Sequence, residues 1–82
     1  MANRRTKVLF FGATADAVGS RELEFSIDET TTANFLIVLL SQQHPALATH
    51  RLLVAVNEEY ADADTVLTDG DEIAIFTAVS GG

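Results

Sequence analysis

Asp69-Gly70-Asp71-Glu72-Ile73-Ala74-Ile75-Phe76-Thr77-Ala78-Val79-Ser80-Gly81-Gly82 decides how this chain is read. Asp-Gly-Asp is a turn, because glycine takes the positive φ that turns demand and aspartate oxygens bond local N–H groups. It feeds Glu72 to Phe76, where Ile73 and Ile75 alternate with other residues and Phe76 closes the run, as in a final strand. Past that strand, Thr77 to Gly82 holds no bulky or charged side chain and ends on two glycines. Without Cβ atoms, Gly81-Gly82 can enter a channel too narrow for other residues and bring a backbone carboxylate to a reactive centre. A diglycine alone is a weak signal. Placed directly after a core strand in a small domain, it points to the Gly82 carboxylate as the working atom.

Upstream, Leu52 to Val56 is a β-rich run, Asn57-Glu58 is a turn candidate, and Tyr60 with Val66 and Leu67 reads as a short strand or irregular edge. Asp28-Glu29-Thr30-Thr31-Thr32 offers capping oxygens ahead of an apolar stretch, so a helix is expected to begin near Thr31 or Thr32 and to stop before Pro45. Ala33, Leu36, Ile37 and Leu40 follow i, i+3, i+4, i+7 spacing and would face a sheet. Phe35, Val38 and Leu39 are left over, so the helix either exposes an apolar patch or is covered by Pro45-Ala46-Leu47-Ala48 folding back. At the start, Val8-Leu9-Phe10-Phe11 reads as a central strand buried on both faces or nearly so. Thr14 to Ser20 is small and polar, and Leu23, Phe25 and Ile27 alternate with Glu22, Glu24, Ser26 and Asp28, which predicts a hairpin of two strands. The order β-β-α-β-(β)-β, with one helix long enough to cover a sheet, is an α+β layer architecture.

Eighty-two residues make one domain, here 1–82, with 1–6 expected to fray and 77–82 to extend as a tail. An apolar content of 48% with 21% charged residues is globular. The absence of cysteine excludes disulfides, thiolate metal sites and a persulfide-carrying thiol within the chain. A net charge of -7 repels phosphate backbones and anionic membranes, so nucleic acid and membrane are not expected partners. Phe35 to Leu40 is far too short to span a bilayer, and no signal-peptide pattern follows Arg4, Arg5 and Lys7, so a cytoplasmic location is expected.

Candidate chemistry elsewhere is thin. Asp62, Asp64, Asp69, Asp71 and Glu72 do not have calcium-loop spacing and read as a solvated face and turn residues. His44 and His50 flank a proline with no further ligand nearby, so no metal is expected. Lys7 is the only lysine and lies beside a core strand, and nothing suggests a triad. The chain shows no active site of its own.

The segments Lys7-Val8-Leu9-Phe10-Phe11-Gly12, His44-Pro45-Ala46-Leu47, Leu53-Val54-Ala55-Val56-Asn57, Leu67 to Ala74 and Val79-Ser80-Gly81-Gly82 carry a resemblance in combination. In that order and spacing they resemble the small, sulfur-carrying subunits of molybdopterin synthase, which are ubiquitin-like β-grasp proteins. The resemblance implies a mixed sheet of four to five strands covered by one main helix. It implies that an ATP-dependent, ubiquitin-activating-type enzyme adenylates Gly82, that a sulfur donor converts the acyl-adenylate to a thiocarboxylate, and that no cofactor is bound by this chain. It further implies a heterotetramer with the large catalytic subunit, whose basic residues act on a pyranopterin precursor while Phe76, Thr77, Ala78, Val79 and Ser80 make the contact and Gly81 belongs with Gly82 to the reactive end. Two departures stand out. Thr77 and Ala78 occupy positions where the family usually has prolines, and Thr32 to Gln43 is less amphipathic than the family's helix. The tail is therefore expected to be disordered from about Ala78 until a partner orders it. A carrier for thiazole or another sulfur-containing product, and a ubiquitin-like binding module with an idle or isopeptide-forming diglycine, share these features.

Overall fold

Val8 and Phe10 lie beside Ile73 and Ile75 in register, and all four side chains are almost fully removed from solvent. That pairing joins the first strand to the last, and it is parallel. In the computed structural model, which describes residues 4–77, the elements are β1 (Arg4–Phe10), α1 (Ala13–Val18), β2 (Glu22–Ile27), α2 (Ala33–Gln43), a 3-10 turn (Pro45–Thr49), β3 (Leu52–Val56), β4 (Glu59–Tyr60) and β5 (Glu72–Thr77). The five-stranded sheet has the order β2-β1-β5-β3-β4. β1–β2, β3–β5 and β3–β4 are antiparallel, and β1–β5 is parallel. A mixed sheet with a main helix across one face is the β-grasp arrangement that the resemblance implied, within the α+β architecture of the element order.

α2 starts where the sequence placed it. Thr32 is extended (φ -100°, ψ 166°) and its hydroxyl accepts the Phe35 N–H at 3.2 Å. The helix ends at Gln43, and Pro45 opens the following turn. Ala33, Leu36 and Leu40 are buried, with Ile37 packed against them. Leu47 folds back and is fully buried, yet Phe35 and Val38 stay 51% and 42% exposed, so that turn covers the end of the core and not the outer helix face.

Four readings change. β1 is central in the sheet but buried on one face only: Val8 and Phe10 point into the core, while Leu9 is half-buried and Phe11 is 53% exposed. Among the described residues no second layer covers that side. Thr14 to Ser20 is not a simple hairpin loop, since α1 occupies most of it and ends on Gly19 in the left-handed conformation (φ 81°), whose N–H bonds the Ala15 carbonyl at 2.8 Å. β1 also begins at Arg4, so residues 4–6 pair with Ile27, Ser26 and Phe25 instead of fraying. At the other end Thr77 still pairs with Leu52, and the tail can begin only at 78. The disorder expected from about Ala78 through Val79, Ser80, Gly81 and Gly82 concerns residues outside those described.

Candidate functional site

β5 delivers the chain toward Gly82 from the middle of the sheet. β3 holds it to its last residue, and the β1 side holds it as far as Ile75. On one side β3 pairs along its whole length, Val56 with Ile73 through Leu52 with Thr77. On the other side β1 ends at Phe10, and Thr14 takes over the role of a neighbour. Thr14 is fully buried, its hydroxyl accepts the Phe11 N–H at 3.0 Å, and its proton is shared between the carbonyls of Phe11 (2.7 Å) and Ile75 (2.9 Å). The Phe11 N–H also reaches the Ile75 carbonyl at 3.2 Å. The strand that carries the tail is thus tied to the β1–α1 turn two residues before it ends. Sequence reading missed Thr14, because a threonine among small residues looks like loop filler. Its place three residues after a strand's last aromatic pair was the available hint.

At the opposite end of β5, Asp71 organises two turns. It is 7% exposed and accepts the Thr68 N–H (2.7 Å), the Thr68 hydroxyl (2.9 Å) and the Asn57 side-chain amide (2.9 Å). Burial alone would raise its carboxyl pKa. The Thr68 N–H, the Asn57 and Thr68 side chains and the Arg4 charge outweigh burial and hold it below the ordinary carboxylate value. Arg4 donates to the Leu67 carbonyl at 2.8 Å, and the Asp69 carboxylate accepts the Arg5 N–H at 2.8 Å. The Asp69-Gly70-Asp71 turn, with Gly70 at φ 85°, is therefore pinned to the start of β1. Asp71 is a turn residue, as read for its cluster, but it is buried and not part of a solvated face. Among the described residues no three histidine or acidic side chains converge on a point that could hold a metal ion.

Alternation along the strands builds the surface beside the tail. Leu52, Val54 and Val56 of β3 pack on the core with Ile73 and Ile75, so Leu53 and Ala55, opposite Phe76 and Ala74, face outward. Leu9 joins them from β1 through its pairing with Ala74. Phe76 is half-buried, and its ring lies 5.9 Å from that of Tyr60 at a tilt of 55°. Tyr60 is 80% exposed. The open sheet face is thus apolar around the end of β5, with Glu22 beside Leu9 at its margin, while Arg5, Lys7, Glu24 and Glu72 lie toward the other end of the sheet. Phe76 stands in this patch, while Thr77, opposite Leu52 and in phase with Ile73 and Ile75, falls on the core side of the strand. Ala78 to Gly82 lie outside the described residues.

A five-stranded ubiquitin-like sheet, one apolar outer face and a central strand ending at Thr77, followed in the sequence by a tail with a diglycine, define the class of β-grasp carriers and modifiers. Residues 8–82 match the ThiS family, and the chain belongs to that family. It is 39% identical to the molybdopterin synthase sulfur carrier subunit of Mycobacterium tuberculosis over 95% of this chain and 98% of that one. Among solved structures, small archaeal modifier protein 1 of Haloferax volcanii superposes with a TM-score of 0.82 at 28% identity, over 95% and 99% of the two chains. A complex of subunits 1 and 2 of molybdopterin-converting factor from Helicobacter pylori matches with a TM-score of 0.68 at 25% identity, over 95% and 99%.

Proposed function

We propose that this chain is the sulfur carrier subunit of a molybdopterin synthase and has no catalytic residues of its own. The observation that carries this reading is the family match running through the diglycine, on a strand that leaves the sheet beside an apolar face. A carboxylate is a poor electrophile until one oxygen becomes a leaving group. Attack of the Gly82 carboxylate on the α-phosphorus of ATP, in an activating enzyme, releases pyrophosphate and makes an acyl-adenylate. A sulfur nucleophile then displaces AMP, leaving the thiocarboxylate that serves dithiolene formation. Gly81 and Gly82 supply a narrow backbone, and a large basic catalytic subunit supplies the chemistry and receives the tail.

Mass spectrometry after incubation with an activating enzyme, ATP and a sulfur donor should show one oxygen exchanged for sulfur at Gly82. Deleting Gly82 should abolish that exchange and leave circular dichroism unchanged, since the diglycine follows the last core strand. Full sulfur transfer by the shortened chain would sink this reading. The modifier-like neighbour favours a second use of the same activated carboxyl, attachment to a protein amine. Amide-linked adducts without any thiocarboxylate would favour that use instead.

A further inference from the structure

β4 leaves the edge of β3 early. The pairing runs from Val56–Glu59 to Ala55–Tyr60, and its last rung is the Ala61 N–H on the Val54 carbonyl at 3.0 Å. The chain then turns away to serve α2: the Ala63 and Thr65 carbonyls accept the N–H groups of Asn34 and Ala33 at 3.0 and 2.8 Å. Those are first-turn donors that the helix itself cannot satisfy. β3 meanwhile continues to Leu52, still paired with Thr77 on its other side. Backbone groups alternate in direction along a strand, so the N–H and C=O of Leu52 point to the same side as the Val54 carbonyl, where among the described residues no strand follows Ala61. His50, extended at φ -112° and ψ 152°, leads into this edge, its own N–H being donated to the Leu47 carbonyl at 3.1 Å.

The edge opens on a groove of about 200 Å³ lined by Ala33, Ile37, Leu52, Val54 and Ala61, with Asp62 at its rim. We propose that it is a strand-addition site for an extended segment of a partner protein that carries an aliphatic side chain next to a lysine or arginine. Unpaired edge groups recognise an extended backbone, and the groove takes an alternate side chain of it. At the groove the charge is the Asp62 carboxylate, which lines it and can meet a cationic side chain next to the aliphatic one, whereas Glu58 and Glu59 lie at the Val56 end of β3. The site makes no use of Gly82 and stands apart from the sulfur chemistry.

The probe is a blocked pentapeptide, lysine-valine-leucine-valine-lysine, titrated into the full isotope-labelled chain. Amide shifts should centre on Leu52, Val54, Ala61 and Ala63, with the Ile37 methyls moving too. N-methylation of the peptide amides that face β3 should weaken binding by about tenfold or more, since it removes the edge hydrogen bonds. Asp62→Lys, an exposed substitution, should weaken it about threefold to fivefold, and a chain lacking Gly82 should bind unchanged. Shifts centred on Phe35 and Val38 or on Phe76 would overturn the proposal. So would equal binding of the N-methylated peptide, no binding at millimolar concentration, or the same edge shifts appearing from protein concentration alone.

Discussion

Asp71 and Thr14 are single residues that each hold one end of β5, and they do so differently. Asp71 is a carboxylate kept charged inside the fold by three hydrogen bonds. Replacing it with alanine strands the Thr68 N–H and the Asn57 amide and should cost about 1–3 kcal/mol in denaturant unfolding. Its folded pKa lies below the unfolded value of about 4, so its contribution is present above that pH and is lost as pH falls through the folded pKa. Asp71→Asn cannot titrate, and its stability should therefore decline less steeply below pH ~4 than that of the parent chain. Equal acid slopes for the two proteins would remove Asp71 from the account. Thr14 is neutral and works without regard to pH, its hydroxyl bridging two carbonyls that no strand reaches.

At the scale of elements, the turn between β3 and β4 is the most strained part of the described chain. Asn57 and Glu58 both have positive φ, 51° and 70°, as a two-residue type I′ hairpin requires. Asparagine tolerates this conformation, while glutamate is held in it by the strands on either side. Glu58→Gly should raise stability by about 0.5–1 kcal/mol, read as a higher midpoint in thermal or denaturant unfolding. No gain would mean the strand pairing already sets the turn at no cost. The sequence made this turn legible, along with β3, β5, the Asp69 to Asp71 turn and the start of α2, because each rests on local chemistry: caps, alternation and turn residues. α1 was not legible. Its six residues are too few to show a helical stripe, and it is kept helical by Ala15, Ala17 and Val18 packing on the core. Nor could the run Val8 to Phe11 reveal that only one face of its sheet is covered, since four adjacent apolar residues look the same either way. That Phe76 closes the last strand before the diglycine was legible in the sequence, while its outward face and its Tyr60 contact needed the fold.

For the whole molecule, the sheet separates stability from recognition: one face and α2 make the core, and the other face offers Leu9, Leu53, Ala74 and Phe76 around the exit of β5. Because Phe76 points outward and is only half-buried, Phe76→Asp should fold and yet weaken binding to a large synthase subunit by about 2 kcal/mol or more, as central aromatic contacts do. Unchanged affinity in the folded variant would move the interface elsewhere. The strand end adds a second lever. Thr77 pairs with Leu52 on one side, and on the other its N–H faces the line of β1, which has already ended at Phe10. Among the described residues no backbone acceptor takes that N–H, so a proline at 77 removes no hydrogen bond from the sheet. Proline also presets φ, so any backbone freedom that residues 77 and 78 lose on binding is smaller from the outset. Fixing one residue costs about 1–2 kcal/mol, and preset positions recover part of it, roughly 0.4–1 kcal/mol each. Thr77→Pro with Ala78→Pro should therefore leave the unfolding midpoint of the free chain nearly unchanged and lower the Kd for the large subunit about threefold to tenfold by titration calorimetry, with the gain in the entropy. An equal or weaker affinity in a folded double variant would show that the partner takes these residues in a backbone shape proline cannot adopt.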